Sequence, residues 1–145
     1  LRRASGGGTI AIGPGTIQYA IVLEHDGSEP PSITEAKRLS NALVREALLH
    51  IGVHATLDVD PSGDLRLGDR KAGGLALRRH RDATLVHGSL LARADVALIA
   101  AVLRHPASEP PWRRGRAHDD FLVGLGHIDR DAFASALRQT LADVR

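Results

Sequence analysis

Three short segments carry residue types suited to binding and activating anions. The first is Arg2-Arg3-Ala4-Ser5-Gly6-Gly7-Gly8, which runs into Thr9-Ile10-Ala11-Ile12. Glycines have no Cβ, permit positive φ and let backbone amides come close to a ligand. Two guanidinium groups and a hydroxyl beside them suit a phosphate. The same residues also fit a loose, solvated chain terminus. They form neither a Walker loop, which needs Gly-Lys-Ser/Thr, nor a dinucleotide fingerprint, which needs a preceding strand.

The second segment is Gly68-Asp69-Arg70-Lys71-Ala72-Gly73-Gly74. A lysine followed by glycines lets a point charge and closely approaching backbone share one space. Such a lysine can grip a phosphate and a carboxylate oxygen together and draw two anions into contact. Its plainer reading is a surface lysine at a hairpin tip. The third segment, His87-Gly88-Ser89, interrupts an apolar strand, where a glycine marks a bulge or a close approach. His87 is equally a hydrogen-bonded core histidine. Asp64 follows a Pro-Ser-Gly turn, where it either caps the turn or helps hold a divalent metal near phosphates. Arg113, Arg114, Arg116 and His118 face an acidic partner or a nucleotide, or form a solvated loop. The remaining histidines have no two-His metal spacing, so no dedicated zinc site is expected.

Composition narrows the classes. The 145 residues, 43% hydrophobic and 25% charged, suffice for one globular domain with a real core. Aromatics are 3% and the formal net charge is +2, so neither base-stacking platforms nor a strong positive field argues for nucleic acid. There is no cysteine, hence no disulfide, thiolate metal site or thiol nucleophile within these residues. No apolar run approaches the ~18 residues a membrane span needs, and a cytoplasmic protein is the expectation.

Positioning these groups falls to an α+β domain. Thr9–Ile12 reads as a short strand and Thr16–Glu24 as a second, buried one. Ser32-x-x-Glu35 is a capping box opening a helix from Ile33 to about His50, ended by Gly52. Its apolar face includes Ile33, Ala36, Leu43, Val44, Ala47 and Leu48, while Lys37, Arg38, Asn41, Arg45 and Glu46 face water. Hairpin strands follow over 54–60, 64–68, 75–80 and 83–91. A short helix spans Asp95 to Leu103. Asp119 and Asp120 open another that carries Phe121, Leu122 and Leu125. Asp129 or Asp131 caps a last amphipathic helix with Phe133, Leu137, Leu141 and Val144. Strands in hairpins with segregated helices predict a mixed or antiparallel sheet packed against helices.

Taken together and in order, Arg2-Arg3-x-Ser5-Gly6-Gly7-Gly8, Asp64-Leu65, Gly68-Asp69-Arg70-Lys71-x-x-Gly74 and His87-Gly88-Ser89-Leu90-Leu91 resemble the lipoate–protein ligases, within the biotin/lipoate protein ligase superfamily. The resemblance covers most of residues 1–125. It implies the class II synthetase-like catalytic fold over residues 1–145, expected without the family's N-terminal strands. It implies that ATP and lipoate react to lipoyl-adenylate, with transfer to a lysine of a lipoyl carrier domain, of 2-oxoacid dehydrogenases or the glycine cleavage H protein. Carried over residue by residue, Arg3, Ser5, Gly6, Gly7, Gly8, Thr9, Ile10 and Ala11 bind the nucleotide phosphates and the acyl-adenylate. Lys71 contacts both the α-phosphate and the lipoate carboxylate. Gly74, His87 and Gly88 line the lipoate side, and Asp64 sits near Mg²⁺. The sequence departs from the family at Thr16, where an asparagine is usual, and at Gly74-Leu75, where Gly-Ser is common. The other readings are a related octanoyl or lipoyl acyltransferase, which works through a cysteine, and a module that binds lipoyl ligands without turnover.

Overall fold

The computed structural model describes residues 5–25, 27 and 29–144. Five strands form one antiparallel sheet: β1 (Thr16–Glu24), β2 (Leu57–Val59), β3 (Leu65–Leu67), β4 (Arg70–Arg79) and β5 (Ala83–Leu91), in the spatial order β1-β5-β4-β3-β2. The helices are α1 (Ile33–His50), α2 (Val96–Val102), α3 (His118–Phe121) and α4 (Arg130–Asp143), with a 3₁₀ turn at Pro111–Arg113.

Strand alternation divides this sheet into two unlike faces. In β1, Ile17, Tyr19 and Ile21 are buried, and they lie opposite Leu90, Gly88 and Val86 of β5. These residues point at α1 and α4. There Leu43, Val44, Ala47, Leu48, Phe133 and Leu137 complete the core with Leu57 and Leu65. Each fully buried aliphatic contributes about 1.5–3 kcal/mol. Glycine is required at Gly88, because a Cβ there would collide with the phenol of Tyr19 across the strand pair. That phenol packs edge-on against Phe133, and burial pushes its pKa up. The pairing of β5 with both neighbours runs through Gly88 without a bulge, so the close approach is by a side chain of the core.

The capping box at the head of α1 forms as expected: Ser32 Oγ accepts from Glu35 N, and Ser32 N donates to the Glu35 carboxylate. Hydrogen bonding to the carboxyl from the Ser32 side chain first, and from Ser32 N second, holds Glu35 below its ordinary pKa. Asp129 caps α4 by accepting from Ala132 N at 2.8 Å.

Several expectations are corrected. Thr9–Ile12 is not a strand; residues 5–13 contain no regular element. Asn41 is only 1% exposed and donates to Gly63 O, so it does not face water, whereas Ile33 is exposed. Strand β4 starts at Arg70, well before Leu75, because Gly73 and Gly74 are paired ladder residues. The helix at Asp119–Asp120 stops at Phe121, and Leu122 instead bridges to Lys71. Val144 is exposed at the end of α4.

Candidate functional site

The face of the sheet turned away from α1 and α4 gathers most of the chemically capable residues. On β5, His87 and Ser89 alternate with core residues; they lie opposite Ala76 and Gly74 of β4. Lys71 joins this face through an irregularity. Leu65 pairs with Gly73, yet Arg66 pairs with Lys71, so Ala72 is an extra residue in β4. Such a bulge breaks alternation and re-aims a side chain. Without it, Lys71 would share the core face with Gly73.

The Lys71 ammonium ends 2.6 Å from Asp64 Oδ1. Gly74 makes room for this pair: a Cβ there would lie 2.9 Å from Lys71 Nζ and 3.0 Å from Asp64 Oδ1. Asp64 itself is 7% exposed and is delivered by a tightly built turn. Asp60 accepts from Asp64 N at 3.0 Å and from Ser62 Oγ at 2.5 Å. From α1, Lys37 donates to Ser62 O at 2.7 Å and Asn41 to Gly63 O at 3.1 Å. A polar pair on the helix thus fixes the turn that supplies the acid. Reading Lys37 and Asn41 only as a solvated face hides that link. Lys71 is not at the hairpin tip: the β3–β4 turn is Gly68-Asp69, and Lys71 is a strand residue whose carbonyl accepts from Val123 N at 2.9 Å.

The glycine-rich segment reaches the same face. Ser5 Oγ and His87 Nε2 are hydrogen-bonded, 2.5 Å apart and 82 residues apart in the chain. Gly7 has φ +98°, a left-handed conformation natural to glycine. A Cβ at Gly6 or Gly8 would meet no atom within 4 Å among the described residues. Packing among the described residues therefore does not call for glycine at those two positions. Arg3 lies outside the described residues. Thr9, Ile10 and Ala11 continue the segment as irregular backbone, with Ile10 exposed.

His87 is half-buried on this face and bonded to Ser5, so it is a hydrogen-bonded histidine but not a core one. Gly88 faces the core and the Tyr19 ring, on the opposite side of the sheet from His87. For a divalent cation, the fit is poor as arranged. Among the described residues no three His, Cys, Asp or Glu side chains gather to hold a metal. Asp64 already faces a cation, the Lys71 ammonium, which would repel a second one.

The arginines of 113–116 are mostly not a free basic surface. Arg113 is 5% exposed, stacks 4.6 Å over Phe121 and pairs with Glu109 at 3.3 Å; burial is the main cause of its lowered pKa. Arg116 pairs with Asp69 at 3.1 Å. His118 has its pKa lowered by burial first, then by Arg113 and His105. Arg114 alone of the three is exposed.

This geometry can be set beside known proteins. The family model described as lipoyl protein ligase A/B catalytic domain matches residues 1–120. Lipoate-protein ligase A subunit 1 of Thermoplasma acidophilum is 27% identical over 113 residues, covering 72% of this chain and 42% of that protein. This chain thus spans less than half the length of that curated relative. Among solved structures, the bi-partite lipoate protein ligase of T. acidophilum, studied with its E2 lipoyl domain, has a TM-score of 0.72 at 22% identity, over 97% of this chain and 55% of that one. A lipoate-protein ligase A bound with ATP gives 0.70 at 24% identity, over 97% and 56%. A T. acidophilum protein with bound lipoic acid gives 0.70 at 23% identity, over 97% and 56%. At these identities the structural likeness is one of fold, the class II synthetase-like sheet with helices.

Proposed function

The chain belongs to the lipoyl protein ligase A/B catalytic domain family, and from that premise we propose that it works as an ATP-dependent lipoate–protein ligase. In this reading a lipoate carboxylate oxygen attacks the α-phosphate of ATP, pyrophosphate leaves, and lipoyl-AMP forms. The amine of a carrier-domain lysine then attacks the acyl carbonyl and AMP leaves, giving an amide.

The observation that carries the reading is the Lys71–Asp64 pair at 2.6 Å beneath Gly74, on the face to which Ser5–His87 ties the glycine-rich segment. A carboxylate and a triphosphate repel each other, so a site joining them must offer fixed cations and amide donors. Lys71 offers a compact charge held in place by Asp64. When the anions arrive they compete with Asp64 for the ammonium, and Asp64 keeps it aimed until they do. Gly6, Gly7 and Gly8 offer amides, and Arg3 is proposed to add a guanidinium. Ser5 is held by His87, which in turn is proposed to border the acyl chain with Gly74; Gly88 contributes only by admitting Tyr19 behind it. No side-chain nucleophile is needed, in keeping with a sequence that has no cysteine.

Mg²⁺ would enter with the triphosphate and supply charge neutralisation; no step assigned to these residues depends on it. The ATP-bound and lipoic acid-bound relatives of the same fold support the two substrates. The relative studied with its E2 lipoyl domain supports a lipoyl carrier domain as acceptor. Lipoate-dependent ATP–pyrophosphate exchange tests the reading, run beside octanoate and biotin. Exchange with lipoate is expected. Acyl transfer from one carrier to another without ATP would favour an acyltransferase, and ligand binding without exchange would favour a non-catalytic module.

A further inference from the structure

The stretch from α2 to α4 supplies none of the anion-binding groups, yet it grips the start of β4 at two points, one at Lys71 itself and one in the turn two residues before it. At one point Val123 N donates to Lys71 O at 2.9 Å, and Leu122 bridges to Lys71 in parallel register. At the other, Arg116 reaches Asp69, two residues before Lys71. Its Nη2 donates to Asp69 O at 2.8 Å and to Trp112 O at 3.2 Å, its Nη1 to Asp69 Oδ2 at 3.1 Å, and its Nε to Arg113 O at 3.0 Å.

The important half of this grip is on backbone. The Asp69 side chain is 83% exposed, so its ion pair with Arg116 is a surface pair of small worth. The Asp69 carbonyl belongs to the turn entering β4, and holding it fixes where that strand begins. The chain is bent to bring Arg116 there. Arg114 adopts φ +55°, rare for a residue with a side chain, and Gly115 follows at φ +71°. Glu109 pins the bend by accepting from Gly115 N at 2.7 Å. Trp112 and Phe121, with ring centroids 4.5 Å apart, lie under the Arg116 guanidinium at 5.9 and 5.3 Å. A planar fork that donates four hydrogen bonds from three nitrogens cannot be replaced by a lysine's single point of attachment.

Resting on the role given above to Lys71, we infer that Arg116 is a positioning residue: it sets the β3–β4 turn, and with Val123 it fixes the backbone from which Lys71 meets its anions. The need for such a device is local. Strand β3 has three residues and the ladder is interrupted at Ala72, so the sheet itself holds the start of β4 weakly. Arg116 spends its donors on oxygens of the protein and none on the open face.

Arg116→Ala and Arg116→Lys in the full 145-residue chain test this. Amide hydrogen exchange is read at Val123, with the β1–β5 ladder as internal control. Exchange at Val123 should rise roughly tenfold or more in Arg116→Ala while the ladder is unmoved. In lipoate-dependent ATP–pyrophosphate exchange, kcat should fall roughly 10- to 100-fold with KM for ATP nearly unchanged, since displaced catalytic groups cost rate before binding. Arg116→Lys should lie between, and it serves where Arg116→Ala does not fold. Unchanged protection at Val123 would overturn the proposal, as would a raised KM with unchanged kcat, which would mean that Arg116 touches substrate. If the wild-type chain shows no exchange with lipoate, the ligase reading fails, and the amide measurement still decides the clamp.

Discussion

The two faces of one sheet differ in what their residues are for. Toward α1 and α4, alternate positions of β1 and β5 include Ile17, Tyr19, Ile21, Val86, Gly88 and Leu90, all buried, with the Tyr19 hydroxyl and the fully buried Thr84, bonded to His25, as the polar exceptions. Toward the other side, the intervening positions include His87 and Ser89, while Val22 and Leu85, opposite each other in register, are 60% and 37% exposed. The first face settles the fold. The second, among the described residues, is not covered by α1 or α4 and gathers the Lys71 ammonium and the Ser5 hydroxyl. A period of two lets nine residues of one strand serve both ends, and only the extra residue at Ala72 departs from it, to give Lys71 to the open side.

That division can be attacked from both sides. The largest stability effect should come from the core: Phe133→Ala, at a position 2% exposed, should cost about 3–5 kcal/mol in urea unfolding. Leu85→Ala on the open face should stay within about 0.5 kcal/mol. Equal costs would mean that the open face is covered by something that packs on it. The two glycines give a subtler contrast. Gly88→Ala collides with Tyr19 and should cost about 1–3 kcal/mol. Gly74→Ala presses only on the flexible end of Lys71 and on Asp64, so it should cost about 1 kcal/mol or less while lowering pyrophosphate exchange. A stable Gly88→Ala would remove the core explanation of that glycine. Ser5→Ala loses one half-buried hydrogen bond and should cost about 1 kcal/mol, read as greater protease sensitivity near the N-terminal segment.

The smallest effect is on pH. His118 has a lowered folded pKa, so between its folded and unfolded values the unfolded chain binds the extra proton. Its contribution is present above the ordinary histidine value of about 6.5 and is lost as pH falls through the folded pKa. The melting temperature should fall more steeply between pH 7 and 5 in the wild type than in His118→Gln. A steeper fall in the variant would reverse the sign of this account.

The readable parts of the sequence were those with local causes. The Ser32–Glu35 box and the spacing of Ala36, Leu43, Val44 and Ala47 define α1. β-Forming runs bounded by turns define β1 and β5 at the observed ends, in β5 despite the His87-Gly88-Ser89 interruption. Lys71, Gly74, Asp64, Ser5 and His87 stand out by residue type and do share one side of the sheet. What escaped depends on partners far along the chain. Gly73 and Gly74 look like a break in a strand, and only their pairing with Leu90 and Ser89 makes them part of β4. Gly88 suggests a ligand until Tyr19, 69 residues earlier, fills the space. Asn41 looks solvated until the Gly63 carbonyl arrives beside it. Arg113 and Arg116 look like a basic loop, and it is Phe121, Trp112 and Asp69 that turn them inward.

We propose above all that the face turned away from α1 and α4 performs carboxylate activation through Lys71. Removing Lys71 alone confounds two effects, because it strands the buried Asp64 carboxylate. The decisive measurement is therefore lipoate-dependent ATP–pyrophosphate exchange by the double variant Lys71→Met/Asp64→Asn, whose urea stability should lie close to wild type. A folded protein whose exchange is reduced roughly 100-fold or more is expected. Exchange near the wild-type rate in that folded variant would contradict it.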